Sequence, residues 1–156
     1  MVRLAQERVL LIGDPQRDVQ AALLHALPGA QVTSVPTFFD AIAELSGGAV
    51  AARYTAVLAA AEPIERRPEA AVRTLRELAG DGRVILFGHP SLELLSRKML
   101  DFGCDDYVIT PASASELQQV FARPSLRLAP AEGEAAESVA DGVGGSDSWD
   151  RPERDN

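Results

Sequence analysis

The stretch Arg8-Val-Leu-Leu-Ile-Gly-Asp-Pro15 is a continuous apolar run that breaks off in Gly13, Asp14 and Pro15. A run without polar alternation suits a strand buried on both faces, as in a parallel sheet. Val19, Leu23, Leu24 and Leu27 then recur at helical spacing, and Pro28-Gly29 ends that helix. Pro15 is expected in its first turn, where a missing N–H costs little. One buried strand followed by one amphipathic helix is the unit from which the remaining sequence can be read.

The unit returns four times. Ala30 to Ser34 reads as a second, shorter strand, and Thr37 with Asp40 forms a cap ahead of Phe38, Ile42 and Leu45, a helix closed by Gly47-Gly48. Tyr54 to Ala60 is a third apolar run, followed by a polar loop with two prolines and a helix from about Glu69 to Ala79. Arg83-Val-Ile-Leu-Phe87 is the strongest strand signal in the chain. Ser91 is placed to cap a fourth helix through Phe102, with Gly103 at its C′ position. Asp106 to Ile109 is the fifth strand, and Ser113-Ala-Ser-Glu116 is a capping box opening a last helix to about Ala122. Five such units imply an α/β fold: a doubly wound, five-stranded parallel sheet, with the flavodoxin-like order 2-1-3-4-5 expected.

The domain is expected over residues 1–123. From Pro124 to Asn156 the composition changes to small and acidic, with eight acids against three bases and few large apolar residues. Such a segment buries too little surface to offset its ordering entropy, so a disordered acidic tail or linker is expected there. Trp149, the one tryptophan, falls in it. The net charge is −8, and residues 1–123 hold fifteen acids against twelve bases. That balance argues against direct nucleic-acid binding through phosphate neutralisation. No apolar stretch approaches a membrane span and the start carries no signal-peptide pattern, so a cytoplasmic protein without membrane contact is expected. Cys104 is the single cysteine, which excludes an internal disulfide and a cysteine-built metal cluster.

With Val9-Leu-Leu-Ile-Gly-Asp-Pro15 at one end and Gly103-Cys-Asp-Asp-Tyr-Val-Ile-Thr-Pro111 at the other, residues 8 to about 122 resemble a bacterial response-regulator receiver (CheY-like) domain. The resemblance implies acids after the first strand that hold Mg²⁺, and an aspartate ending the third that accepts a phosphoryl group. It also implies a hydroxyl ending the fourth strand and a lysine ending the fifth. Oxygen ligands and a neutralising cation are what phosphoryl transfer requires. On these positions the chain carries Gly13-Asp14, Ala60, Gly88 and Thr110. A methyl group cannot form an acyl phosphate, so the resemblance is to a degenerate pseudo-receiver lacking the phosphoacceptor. No enzymatic activity, cofactor or metal is expected. The resemblance further implies a cis bond at Thr110-Pro111 and a switch-like aromatic at Tyr107.

The other titratable groups carry weaker signals. Asp14 reads as a helix cap rather than a lone metal ligand, and Asp105-Asp106 as structural. Cys104 reads as a small buried filler rather than a redox sensor. In the fourth helix Leu92, Leu95, Met99 and Phe102 form a core stripe, which leaves Leu94 and Leu100 outside it. The resemblance implies output or dimer contacts on the fourth helix, fifth strand and fifth helix. Leu92, Ser96, Arg97, Lys98, Leu100, Tyr107, Glu116 and Gln119 are the residues expected on that face. The reading is therefore a phosphorylation-independent module that docks a partner protein or a second copy, in signal transduction or transcriptional control. An alternative is a small-ligand sensor using the strand-end pocket floored by Gly13, Ala60 and Gly88.

Overall fold

The computed structural model describes residues 6–47 and 54–123. Each apolar run is a strand: β1 (Arg8–Ile12), β2 (Gln31–Val35), β3 (Ala56–Ala60), β4 (Arg83–Gly88) and β5 (Asp106–Ile109). The order is β2-β1-β3-β4-β5 and every pairing is parallel. The helices are α1 (Asp18–Ala26), α2 (Phe38–Gly47), α3 (Pro68–Ala79), α4 (Glu93–Met99) and α5 (Ala114–Ala122).

Alternation along the strands divides the core in two. Val9, Leu11, Ala56, Leu58, Ile85, Phe87 and Val108 face α1 and α5, meeting Val19, Leu23, Leu117, Val120 and Phe121. Leu10, Ile12, Val57, Ala59, Val84 and Leu86 face the other way, toward Ala41 of α2, Val72 and Leu75 of α3 and Met99 of α4. The alanines of β3 favour helix intrinsically, yet Ala56 to Ala59 are strand and fully buried, because β3 pairs on both sides with β1 and β4.

Two helix starts differ from expectation. Pro15 lies ahead of α1, which begins only at Asp18 after Arg17, a left-handed residue with φ 61°. The Asp14 carboxylate supplies the cap from further upstream: it accepts the backbone N–H groups of Gln20 at 2.9 Å and Val19 at 3.4 Å. The expected helix from Ser91 to Phe102 is instead α4 flanked by 3₁₀ turns over Pro90–Leu92 and Leu100–Phe102. Ser91 does not cap it. His89 caps the 3₁₀ turn ahead of it, its Nδ1 accepting the Ser91 N–H at 3.1 Å, and α4 itself starts after Leu92 with no side-chain cap. The Ser113–Glu116 capping box is present, and Thr110-Pro111 is cis. The expected tail from Pro124, with Trp149 and Gly48, lies outside the described residues.

Candidate functional site

Gly13, Asp14, Ala60, Gly88 and Thr110 come together at the carboxyl ends of the strands, the end at which doubly wound folds carry their sites. Little room remains between the first of them. A Cβ on Gly13 would lie 3.0 Å from the Ala60 methyl and 3.9 Å from Pro63 Cγ, and Gly13 holds φ +76°. A Cβ on Gly88 would lie 3.4 Å from both the Ala61 methyl and Leu92 Cδ1. The space vacated by side chains is lined by apolar atoms of the loops above. Leu92 turns toward this end of the sheet and is half-buried, so its expected place on the outer contact face is corrected.

Asp14 is buried and its two oxygens are engaged by α1. Glu62, in the turn after β3, is exposed. Among the described residues no group of three or more His, Cys, Asp or Glu side chains is arranged to hold a metal ion. The carboxylate at the tip of β1 therefore serves as a helix anchor here, in keeping with the attraction of negative charge to a helix N-terminus.

At the opposite end of the sheet, the Gly103–Tyr107 segment holds the structural role expected of Asp105, through a partner that sequence reading did not name. Asp105, buried, pairs with Arg76 of α3 at 2.8 Å and accepts the Val84 N–H of β4 at 2.9 Å. Arg76 also donates to the carbonyls of Gly80, at 2.5 Å, and Gly82. Gly103 has φ +113°, and a Cβ there would lie 2.9 Å from Arg76 Cγ. The glycine is thus the seat for the arginine stem. One ion pair ties α3, its terminating turn, β4 and the entry to β5 together. The Asp105 partner lies 29 residues away on another element, and nothing in the local sequence pattern singles out Arg76 from its neighbours.

Cys104 sits within this segment, buried, with its thiol against the Asp106 carbonyl at 2.9 Å. Burial pushes the thiol up to about 12, far above the usual thiol range. The neutral form is the one the fold holds, and the neutral form is unreactive. Alkylation of the folded chain at pH 8 is therefore expected to be slow and to become fast in denaturant, measured by intact mass. Unfolding releases the proton above the ordinary thiol value, so the contribution of Cys104 to stability is present below about pH 8.5 and declines as pH rises toward 12. A Cys104→Ala variant should lose that alkaline slope in a denaturant series.

The α4–β5–α5 surface is only partly as expected. Ser96 is 4% exposed: it stands four residues after Leu92 and three before Met99, on the helix face that α4 turns to the core, and so it does not contribute to an outer face. Leu100 is half-buried against the α2–α4 side of the core. Leu94 is 79% exposed and is the large apolar side chain that α4 presents outward. Around it, Arg97 donates to Glu93 at 2.8 Å and to the Tyr107 hydroxyl at 3.3 Å, which holds that ring's tip at the surface. Lys98 and Gln119 are exposed, and Glu116 is exposed while its carboxylate accepts the Ser113 N–H. A cavity of about 320 Å³ lies between β5 and α5, bounded by Asp106, Ile109, Glu116, Gln119 and Arg123. Its floor is braced by the Asp106–Arg123 pair at 3.0 Å.

Five parallel strands in this order, with α1 and α5 on one face and α2, α3 and α4 on the other, define the chain as a flavodoxin-like doubly wound α/β protein. Its architecture is that of the CheY-like response-regulator receiver domains. The chemotaxis protein CheY4 of Vibrio cholerae is similar with TM-score 0.59 at 12% identity, over 75% of this chain and 97% of that one. A response regulator from Thermotoga maritima gives TM-score 0.61 at 19% identity, over 73% and 92%. A CpaE2 pilus assembly protein from Sinorhizobium meliloti gives 0.59 at 21% identity, over 73% and 96%. The likeness at these identities is one of fold. No family model matches the chain, and no curated protein does. Among the described residues no helix is long and apolar enough to cross a membrane.

Proposed function

We propose that this receiver-like domain is a non-enzymatic, phosphorylation-independent signalling module that docks a partner protein through α4, β5 and α5. One observation carries the reading. The strand ends hold a methyl group at Ala60 against Gly13, while the one nearby carboxylate, Asp14, is committed to capping α1. A scaffold so arranged transmits by contact. Leu94, with Glu93, Arg97 and Lys98 beside it on α4 and Arg97 reaching the Tyr107 hydroxyl, offers an apolar centre with charged neighbours, the composition of a protein contact. A small-ligand sensor draws less support, since Ala60, Ala61, Pro63 and Leu92 crowd the strand-end floor.

The test has two arms. Incubation with acetyl phosphate and Mg²⁺ is expected to leave the intact mass unchanged; an acid-labile phosphoryl adduct would overturn the reading. In affinity capture of partners from native extract, Leu94→Asp is expected to cut recovery of any wild-type partner at least about tenfold, as loss of a hot-spot side chain does. Undiminished capture by Leu94→Asp would move the contact elsewhere.

A further inference from the structure

The two edges of the sheet are finished differently. At β5, Thr110 N–H donates to the Gly88 carbonyl, which places Tyr107 and Ile109 with their main-chain groups outward. That edge is obstructed: Asp106 Oδ1 accepts the Tyr107 N–H at 2.8 Å, and Arg123 holds the same carboxylate at 3.0 Å. At β2, the Gln31 N–H donates to the Glu7 carbonyl at 2.9 Å, and the Val35 carbonyl accepts from Gly13 at 3.1 Å. Val32 and Ser34 therefore turn their N–H and C=O groups away from β1, and among the described residues nothing pairs with them. Ala30 to Thr37 carries no charge, and Pro36 lies beyond the strand. Val32, Thr33 and Val35 are β-branched and suit further pairing. Edge strands left this way, without lysine, proline or bulge, are templates for another strand.

We propose that β2 pairs antiparallel with β2 of a second copy of this chain, extending the sheet across a two-fold axis at Thr33. The spacing permits that occupant. In this register Val32 lies opposite Ser34 of the second copy and Ser34 opposite its Val32, so the two outward residues exchange both donors and both acceptors. A surface that closes on itself is what an isologous dimer needs. Charge selects it. A chain of net charge −8 repels its copies over most faces, whereas the stretch 30–37 is uncharged, so the strand ladder itself opposes no like charges. The α4–β5–α5 face stays open for a partner, so this inference stands independently of the proposed docking.

Sedimentation or light scattering of the full chain over a dilution series into the micromolar range tests it. The expected result is a concentration-dependent dimer. Ser34→Pro, which removes one donor from each copy, should weaken it about 30-fold. Ser34→Lys, which keeps the backbone donor, should weaken it through edge charge, so a failure of the proline variant to fold does not end the test. Thr33→Cys should cross-link the dimer under mild oxidant, because facing non-hydrogen-bonded residues stand about 4.5 Å apart at Cα, within disulfide reach. Monomer at every concentration, or a dimer unmoved by both Ser34 variants with their circular dichroism intact, overturns the proposal.

Discussion

Asp105→Ala is expected to cost the domain about 3 kcal/mol, the largest loss of any single polar substitution proposed for it. Breaking a buried ion pair by removing one member leaves a desolvated charge, at about 3–5 kcal/mol. The lower end applies because the Arg76 guanidinium keeps the carbonyls of Gly80 and Gly82. The Val84 N–H loses its acceptor in the same step. Thermal unfolding followed by circular dichroism should show the midpoint fall by roughly 10 °C or more. Asp106→Ala is the control. Its partner Arg123 is largely exposed, and an exposed pair contributes up to about 1 kcal/mol. Equal losses in the two variants would refute the assignment of Asp105 as the tie between α3 and the sheet.

The second large effect is expected from Gly13→Asp, which sets a second carboxylate beside Asp14 at the tip of β1. The substitution meets two obstacles. Gly13 holds φ +76°, a left-handed conformation costing an L residue about 1–2 kcal/mol. Its Cβ would also stand 3.0 Å from the Ala60 methyl, which is fixed by β3 and cannot swing away. Overpacking of this kind costs about 1–3 kcal/mol, so a total near 3 kcal/mol is expected in a urea titration. Gly13→Asp with Ala60→Asp is expected to gain no phosphoryl adduct from acetyl phosphate, because the left-handed backbone at residue 13 sets its side chain against residue 60. Wild-type stability in Gly13→Asp, or an adduct on the double variant, would show that the site is only unoccupied by carboxylates and not reshaped.

The architecture was legible because its signals are local and repeated. Arg8–Ile12, Arg83–Phe87 and Asp106–Ile109 are apolar runs bounded by turns, and parallel strands need helices between them. Ser113 with Glu116 announced α5 because a capping box is contained in four residues. Asp14 was legible as a helix cap; that it reaches Val19 and Gln20 from upstream of Arg17 was not. What escaped reading was mostly set by distance along the chain. On α4, Ser96 shares the buried face with Met99 and Leu100 is half-buried, while Leu94 stays in solvent; a polar residue on a helix's inner face is not announced by hydrophobic pattern. The strand-end positions were legible as residue types. Their crowding was not, because it depends on Pro63 and Leu92 folding back from loops.

The fastening made by Gly103, Asp105 and Arg76 lies where the strands begin, whereas Gly13 and Ala60 lie where they finish. Integrity of the framework and chemistry at its rim thus occupy separate addresses in the molecule. Every residue at one address could be exchanged without loosening a joint at the other, so sequence likeness centred on residues 103–107 reports the frame and says nothing of the reaction it hosts.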